Sequence, residues 1–322
     1  MKIKTAISYN LDLLCFMNVI TGREFFMEFH KNSFEKFYPV ISDVTNGRIK
    51  RVLRLGFPHI GTPVLLPVSS VDDFNNRDLL GMLDDKKGLK NSMKSKASAY
   101  YKAIHFFLIR RLIERVITPL AKELESAGFK EFWQANRLPL IQEKCHEVDK
   151  YMERYNPYEL ISRFINFDDS DFTIYLCSFA IPLGVKLSGN NMIADIAHSN
   201  DTVLEILTHE VFHPPYDTKK VKKSVKLLAR KAWVKEAYKI QKPNFGYRPI
   251  VGFVEENIVE ALGIYVANQL GLDIDPKEYF SEHDGGSHVI SPYFYDYLCE
   301  NIKDASLSFD DYFTQFVDAL RV

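Results

Sequence analysis

The residues with the clearest chemical potential are two histidines and a glutamate in the stretch from Asp201 to Pro215. His209, Glu210 and His213 follow the pattern H-E-x-x-H, and residues four apart lie on one face of a helix. Two imidazoles at that spacing can bind one zinc ion, and the adjacent carboxylate can then take a proton from a water on that zinc. The alternative interpretation is a helix that carries two unrelated histidines.

The sequence also marks where this helix begins and ends. Thr202 and Glu205 fit a capping box at its start, and Pro214 and Pro215 follow the second histidine. Proline lacks an N–H and restricts the residue before it, so we expect the helix to stop there with His213 in its last turn.

A zinc hydrolase also needs a third protein ligand and an open fourth position. The stretch GFVEENIVEALGIYVANQL at residues 252–270 predicts a helix, and it offers Glu255, Glu256 and Glu260. Glu256 and Glu260 share a face, so one carboxylate can reach the metal while the other accepts an N–H from a ligand histidine and fixes its tautomer. The choice of ligand stays open among the three, and a solvated pair of glutamates is the alternative.

A third segment, HDGGSHVIS at residues 283–291, offers a group that could stabilise a transition state. Gly285 and Gly286 allow the backbone to approach a site closely, and His288 can donate to the oxyanion of a tetrahedral intermediate. The alternative donors are four tyrosines of this half of the chain: Tyr247, Tyr293, Tyr295 and Tyr297.

Together the three segments resemble the thermolysin-like zinc peptidases, the gluzincins, in which H-E-x-x-H is followed by N-E-x-x-S-D on a later helix and then by G-G-x-H. The matching segments here are HEVFH at 209–213, ENIVEALG at 256–263 and GGSH at 285–288, so the resemblance covers about the last 120 residues. It implies a zincin-like catalytic domain, with roles for six residues. These are His209, His213 and Glu256 as zinc ligands, Glu210 as general base, His288 as transition-state donor, and Glu260 in place of the family's aspartate behind a ligand histidine.

The chain departs from the family pattern at two supporting positions. Glu260 is longer than the family's aspartate and must fold back to reach His209. The family's last histidine has an acidic partner five residues before it, and here that position is His283, with Asp284 one place away. Asp284 is therefore the candidate partner of His288, and what orients this histidine stays open.

The helices and strands that the sequence predicts around these residues indicate an α+β fold that is mostly helical. Residues 6–40, 69–83, 97–127 and 138–154 read as helices, 51–67 as a loop or short strands, and 84–96 as an exposed connection. Strands are predicted within 172–187 and at 192–197, in a small mixed or antiparallel sheet before the H-E-x-x-H helix. The last strand could be an edge that pairs with an extended peptide, or an ordinary core strand. We predict a helical region at 1–165, a zincin-like domain at 166–322 and a basic amphipathic helix at 218–238.

Composition limits the partners and the cellular setting. A formal net charge of −1 gives no argument for nucleic acid or an anionic membrane, and the apolar runs are too short or too interrupted to span a bilayer. The N-terminus lacks the pattern of a signal peptide. Four cysteines lie far apart and predict free thiols in a reducing compartment, which favours the cytoplasm: Cys15, Cys145, Cys177 and Cys299.

The working hypothesis is a zinc-dependent metallopeptidase that acts on a peptide or protein substrate, with Zn²⁺ as its cofactor. A zinc hydrolase of non-peptide amides or esters would need the same residues. A third hypothesis is a catalytically inactive, zincin-like interaction protein, whose zinc would be absent or would have a protein atom in its fourth position.

Overall fold

The computed structural model describes residues 3–57, 59–98, 101–164, 171–181, 184–213, 218–241, 249–302 and 309–320. The chain forms two compact units that interleave in sequence. The sheet unit comprises Ile3–Lys150 and Asp171–Asn200, and the helical unit comprises Met1–Lys2, Tyr151–Ser170 and Asp201–Val322. The predicted division into a helical region at 1–165 and a zincin-like domain at 166–322 stays a prediction.

The sheet contains four strands in the part of the chain that the structure describes. They are β1 Ile3–Ala6, β2 Phe172–Cys177, β3 Val185–Lys186 and β4 Asn191–Asp195, in the order β1-β2-β4-β3. β1, β2 and β4 are parallel, with Ile3 opposite Phe172 and Ile174 opposite Met192, whereas β3 is antiparallel to β4. The sheet is therefore mixed. β4 lies between β2 and β3, so it is a core strand and the interpretation as a peptide-binding edge is wrong.

Helices make up most of the rest of the chain. Those up to residue 155 are α1 Tyr9–Val19, α2 Glu24–Phe37, α3 Asp43–Arg54, α4 Thr62–Ser69, α5 Leu79–Asp84, α6 Lys86–Lys96, α7 Ala103–Leu112, α8 Thr118–Ser126, α9 Phe129–Asn136 and α10 Leu138–Tyr155. A π-helical turn, Ile113–Ile117, joins α7 to α8, so the long helix predicted at 97–127 is present from Ala103. The later ones are α11 Pro157–Ile161, α12 Asn200–Glu210, α13 Thr218–Leu228, α14 Ala232–Ile240, α15 Ile250–Gln269, α16 Pro276–Glu282, α17 Ser291–Asn301 and α18 Phe309–Ala319.

Two segments predicted without helix are helical because tertiary contacts support them. Within 51–67, α4 begins after Gly61, whose N–H donates to the Asn18 side chain at 2.8 Å. A Cβ at Gly61 would lie 1.8 Å from the Leu14 carbonyl oxygen, so only glycine allows this approach to α1. Within 84–96, α6 buries Leu89 and Met93, which lie four apart on one face.

The first strand and one helix break also differ from prediction. β1 was not predicted, because its partner β2 lies far away in sequence and local pattern gave no signal for it. The helix predicted at 218–238 is two helices, α13 and α14, with a break between Leu228 and Ala232.

The observed architecture agrees with the predicted class. The protein is an α+β protein that is mostly helical, with a small mixed sheet. Among the helices described, none combines the length and the apolar character that a bilayer span requires.

Candidate metal centre

The first two residues of the H-E-x-x-H motif, His209 and Glu210, are the last two residues of helix α12. The helix ends at Glu210, and His213 follows in a tighter turn, in which His213 N donates to the Glu210 carbonyl oxygen at 3.2 Å. His213 therefore lies just past the helix and not in its last turn as predicted, which agrees with the restriction that a following proline places on its backbone. Pro214 and Pro215 themselves lie outside the described residues.

Helix α15 brings the carboxylates to the two imidazoles. Its residue Gly263 packs directly against α12, since a Cβ there would lie 3.2 Å from His209 Cα and 3.3 Å from the Thr208 carbonyl oxygen. The close approach of the two backbones places Glu256 and Glu260, about two turns and one turn before Gly263, beside the His209 ring.

Three side chains converge on one point. His209 Nε2 lies 2.9 Å from His213 Nε2 and 3.3 Å from Glu256 Oε1, and His213 Nε2 lies 3.5 Å from Glu256 Oε2. These three form the one group of possible metal donors found among the described residues. Glu256 is thus the candidate third ligand, and Glu255 is not part of the group.

The spacing of the donors matches the demands of a zinc ion. Zinc takes four ligands in a tetrahedron at about 2.0–2.2 Å, which puts neighbouring donor atoms about 3.3–3.4 Å apart. The observed separations of 2.9, 3.3 and 3.5 Å scatter around that value. Two neutral imidazoles and one carboxylate are also donor types that zinc prefers, so the residues fit the predicted metal.

Glu260 lies behind this group and contacts the other nitrogen of the same ring. Its Oε2 is 2.5 Å from His209 Nδ1, so Glu260 reaches His209 despite being longer than the aspartate of the family pattern. Burial would raise the pKa of Glu260, but His209, with smaller contributions from His288 and Tyr279, lowers it to about 2. The ionised carboxylate can accept the Nδ1 proton, which leaves Nε2 free to bind a metal.

The charges of this cluster also shift the pKa values of His209 and Glu256. Burial would lower the pKa of His209, but the carboxylates of Glu260 and Glu256 raise it well above its ordinary value. Burial would raise the pKa of Glu256, but His213 and His209 lower it well below its ordinary value. These carboxylates therefore favour a proton on the His209 imidazole.

A tyrosine that the sequence did not single out extends this network. The Tyr279 hydroxyl hydrogen-bonds with the carboxylates of Glu260 and Glu205. Burial and these two carboxylates raise the pKa of Tyr279, so its hydroxyl keeps its proton and can donate. His283 stacks on the Tyr279 ring, with centroids 3.8 Å apart and an interplanar angle of 14°. The only signal in the sequence is that these two rings are four residues apart, with His283 directly after the last residue of α16.

The predicted acid–base groups, Glu210 and His288, are both buried. Glu210 has 8% of its surface exposed and His288 has 2%. The charge of His288 contributes to lowering the pKa of Glu260, so this imidazole lies in the electrostatic range of the carboxylate behind His209. The predicted roles of Glu210 and His288 stay predictions.

The remaining candidates fall outside this group. The side chain of Asp284 and the whole of Tyr247 lie outside what the structure describes. The other three tyrosines have partners elsewhere: Tyr293 packs on Trp233, Tyr295 accepts from Asn268, and Tyr297 donates to Gln315.

Comparisons of the chain with protein-family models, with curated proteins and with solved structures found no match.

Proposed function

We propose that this chain is a zinc-dependent metallopeptidase that hydrolyses peptide bonds of a peptide or protein substrate. The observation that carries the proposal is the convergence of His209 Nε2, His213 Nε2 and one Glu256 carboxylate, with all donor atoms within 4.8 Å of one another. Glu260 on His209 Nδ1 adds the supporting carboxylate that metal-binding histidines commonly have.

The number of donors favours catalysis over a structural role. Structural zinc sites are usually closed by four protein ligands, whereas catalytic sites have three and leave a position open. Among the residues that the structure describes, the group has three members. When bound, zinc supplies Lewis acidity, which lowers the pKa of water and polarises a carbonyl group.

The residues of the chain would then perform the proton transfers. Glu210 follows ligand His209 directly and takes a proton from the attacking water, then returns it to the leaving amine. His288 donates to the carbonyl oxygen as negative charge develops on it. Glu260 and Tyr279 hold His209 in the tautomer that presents Nε2.

Two experiments test the proposal. Metal analysis of the purified protein should find about one zinc per chain, with an anomalous signal beside His209, His213 and Glu256. Glu210→Gln should keep the zinc and lose at least about a thousand-fold in peptide hydrolysis. The matched control is Glu236→Gln, the same change at an exposed position of α14, which should leave both unchanged. Retention of most activity in Glu210→Gln contradicts the mechanism.

The bond that is cleaved separates the alternatives. A hydrolase of non-peptide amides or esters would use the same residues, so a panel of peptide, amide and ester substrates must be assayed with the wild-type chain. A catalytically inactive, zincin-like interaction protein would show no hydrolysis and either no zinc or a fourth protein ligand.

The proposed setting is the cytoplasm, with neither nucleic acid nor a membrane as partner. Support comes from the four cysteines, all free thiols, of which Cys15 and Cys177 are buried.

A further inference from the structure

Asn257, the residue after the candidate ligand Glu256, is a fully buried polar side chain on α15, with 0% of its surface exposed. Consecutive helical residues point about 100° apart. While Glu256 faces the two imidazoles, Asn257 therefore faces another neighbour, which is the segment that contains His288.

The Asn257 amide is saturated with hydrogen bonds. Its Nδ2 donates to the Phe253 carbonyl at 2.9 Å and to the Ser287 carbonyl at 3.3 Å. Its Oδ1 accepts from Ile290 N at 2.8 Å, and its backbone carbonyl accepts from Ser291 Oγ at 2.7 Å. A buried amide whose donors and acceptors are all used specifies one arrangement of its partners, since any shift leaves a buried polar group unpaired.

These bonds lie on both sides of His288. Ser287 precedes the histidine and Ile290 follows it by two residues, so a single side chain holds the backbone at both ends of this short stretch. On the N-terminal side, Gly286 has φ 76° and a Cβ there would lie 2.9 Å from the Ser281 carbonyl oxygen. Position 286, just before the stretch that Asn257 holds, therefore accepts glycine and no larger residue.

A second asparagine on the same helix provides an internal comparison. Asn268 donates to the Ile274 carbonyl at 2.8 Å and accepts from Ile274 N at 2.9 Å, so it also holds a later segment against α15. Asn268 lies about three turns beyond Asn257 and also donates to the Tyr295 hydroxyl at 3.1 Å, and neither Ile274 nor Tyr295 belongs to the group of possible metal donors. The two asparagines have the same chemistry and differ in what they hold.

We propose that Asn257 is a positioning residue that ties His288 to the ligand Glu256, so that the predicted transition-state donor and the third ligand keep a fixed separation. This inference rests on the proposed function. A donor must lie within a few tenths of an ångström of its place to act on a developing charge, so loosening this tether should reduce turnover more than substrate binding.

Asn257→Asp is the sharpest change, because it keeps the shape and removes both N–H donors. We expect amide hydrogen exchange across residues 285–291 of the metal-free protein to rise at least about tenfold. We expect kcat to fall roughly 10–100-fold, with KM and zinc affinity within about threefold of wild type. Ser291→Ala, which removes one bond to the Asn257 carbonyl, should show the same pattern more weakly and serves if the first variant folds poorly.

Asn268→Asp is the matched control, with the same atoms exchanged on the same helix. It should raise exchange near Ile274 and leave kcat and exchange at 285–291 unchanged. Equal loss of kcat in the two variants would mean that general destabilisation is the cause and would overturn the proposal. Faster exchange at 285–291 with an unchanged kcat would also overturn it.

Failure of the proposed function can be distinguished from failure of the inference about Asn257. A wild-type chain that binds no zinc and cleaves no peptide overturns the peptidase and, with it, the catalytic part of this inference. The exchange measurement needs neither zinc nor activity, so it still decides whether Asn257 holds the His288 segment.

Discussion

The sheet unit and the helical unit each bury carboxylates, but they give them different partners. In the sheet unit, Asp12 accepts from Trp133 Nε1 at 2.6 Å and from Ser178 N at 2.9 Å, and Asp195 accepts from Ala180 N at 2.7 Å. These donors are an indole N–H and backbone N–H groups, all of them neutral. Burial nevertheless raises the pKa of Asp12 to about 7.

In the helical unit the partners of the buried carboxylates are imidazoles. Glu256 and Glu260 face both nitrogens of His209, and the Nε2 atoms of His209 and His213 face each other. Two nitrogens and a carboxylate oxygen brought together repel one another unless a proton or a cation lies between them. An arrangement that a proton or a cation must hold together supports the proposed metal site, whereas one satisfied by neutral N–H groups of the fold indicates a structural role.

The histidines show the same contrast. His30 of the sheet unit is buried edge-on to Phe179, with ring centroids 5.3 Å apart, and burial together with the charge of Arg137 lowers its pKa to about 4. The carboxylates beside His209 shift its pKa in the opposite direction. One residue type is thus kept neutral in one unit and made basic in the other.

The largest expected effect is on the stability of the sheet unit. Asp12→Ala leaves the buried donors of Trp133, Ser178 and Phe179 without an acceptor, and we expect a loss of roughly 3–5 kcal/mol in the free energy of unfolding. Urea denaturation measures it, with the exposed Asp43→Ala as control. Zinc affinity should not change, and a loss below about 1 kcal/mol would contradict the structural role of Asp12.

Removing the candidate ligand Glu256 in the helical unit should lower zinc affinity more than it lowers the free energy of unfolding. Glu256→Gln keeps the shape but weakens the donor, and we expect zinc affinity to fall at least about 100-fold, measured by competition with a chromophoric chelator. The unfolding free energy of the metal-free protein should change by less than in Asp12→Ala. The neighbouring Glu255→Gln is the control. Equal losses of affinity in the two variants would show that Glu256 is not the ligand.

The carboxylate behind the ligand should contribute less. Glu260→Gln removes the negative charge on His209 Nδ1, and we expect roughly a 10–100-fold loss of zinc affinity. Tyr279→Phe, which removes only the hydroxyl behind Glu260, should lose less again. A loss for Tyr279→Phe that exceeds the loss for Glu260→Gln would reverse the proposed order of the network.

The smallest effect is a pH dependence in the sheet unit. Because the pKa of His30 is about 4 when folded and about 6.5 when unfolded, the unfolded state binds more protons between these values and stability falls as pH falls from 6.5 to 4. His30→Gln should remove roughly 1–2 kcal/mol of the stability difference between pH 7 and pH 5. Urea midpoints at both pH values test this, and an unchanged difference would show that His30 does not titrate this way.

The local parts of the fold and of the site were the predictable ones. The pairing of His209 with His213 depends on spacing along one stretch of backbone, and the helices at 138–154 and 252–270 depend on local apolar periodicity. Prediction failed where support comes from distant residues. α4 forms despite its prolines because Gly61 packs on Leu14 and bonds to Asn18, and β1 forms because β2 pairs with it.

The sequence by itself determined which donor residues the chain contains and which of them share a helical face. Side chains three or four residues apart on a helix point in nearly the same direction. The tertiary structure decided which carboxylate meets the imidazoles. Gly263 lets α15 approach α12, and this packing selects Glu256 over Glu255 and sets Glu260 behind His209. It also revealed Tyr279 and Asn257, whose partners lie on other segments. Such contacts depend on how helices pack, and no local pattern encodes that.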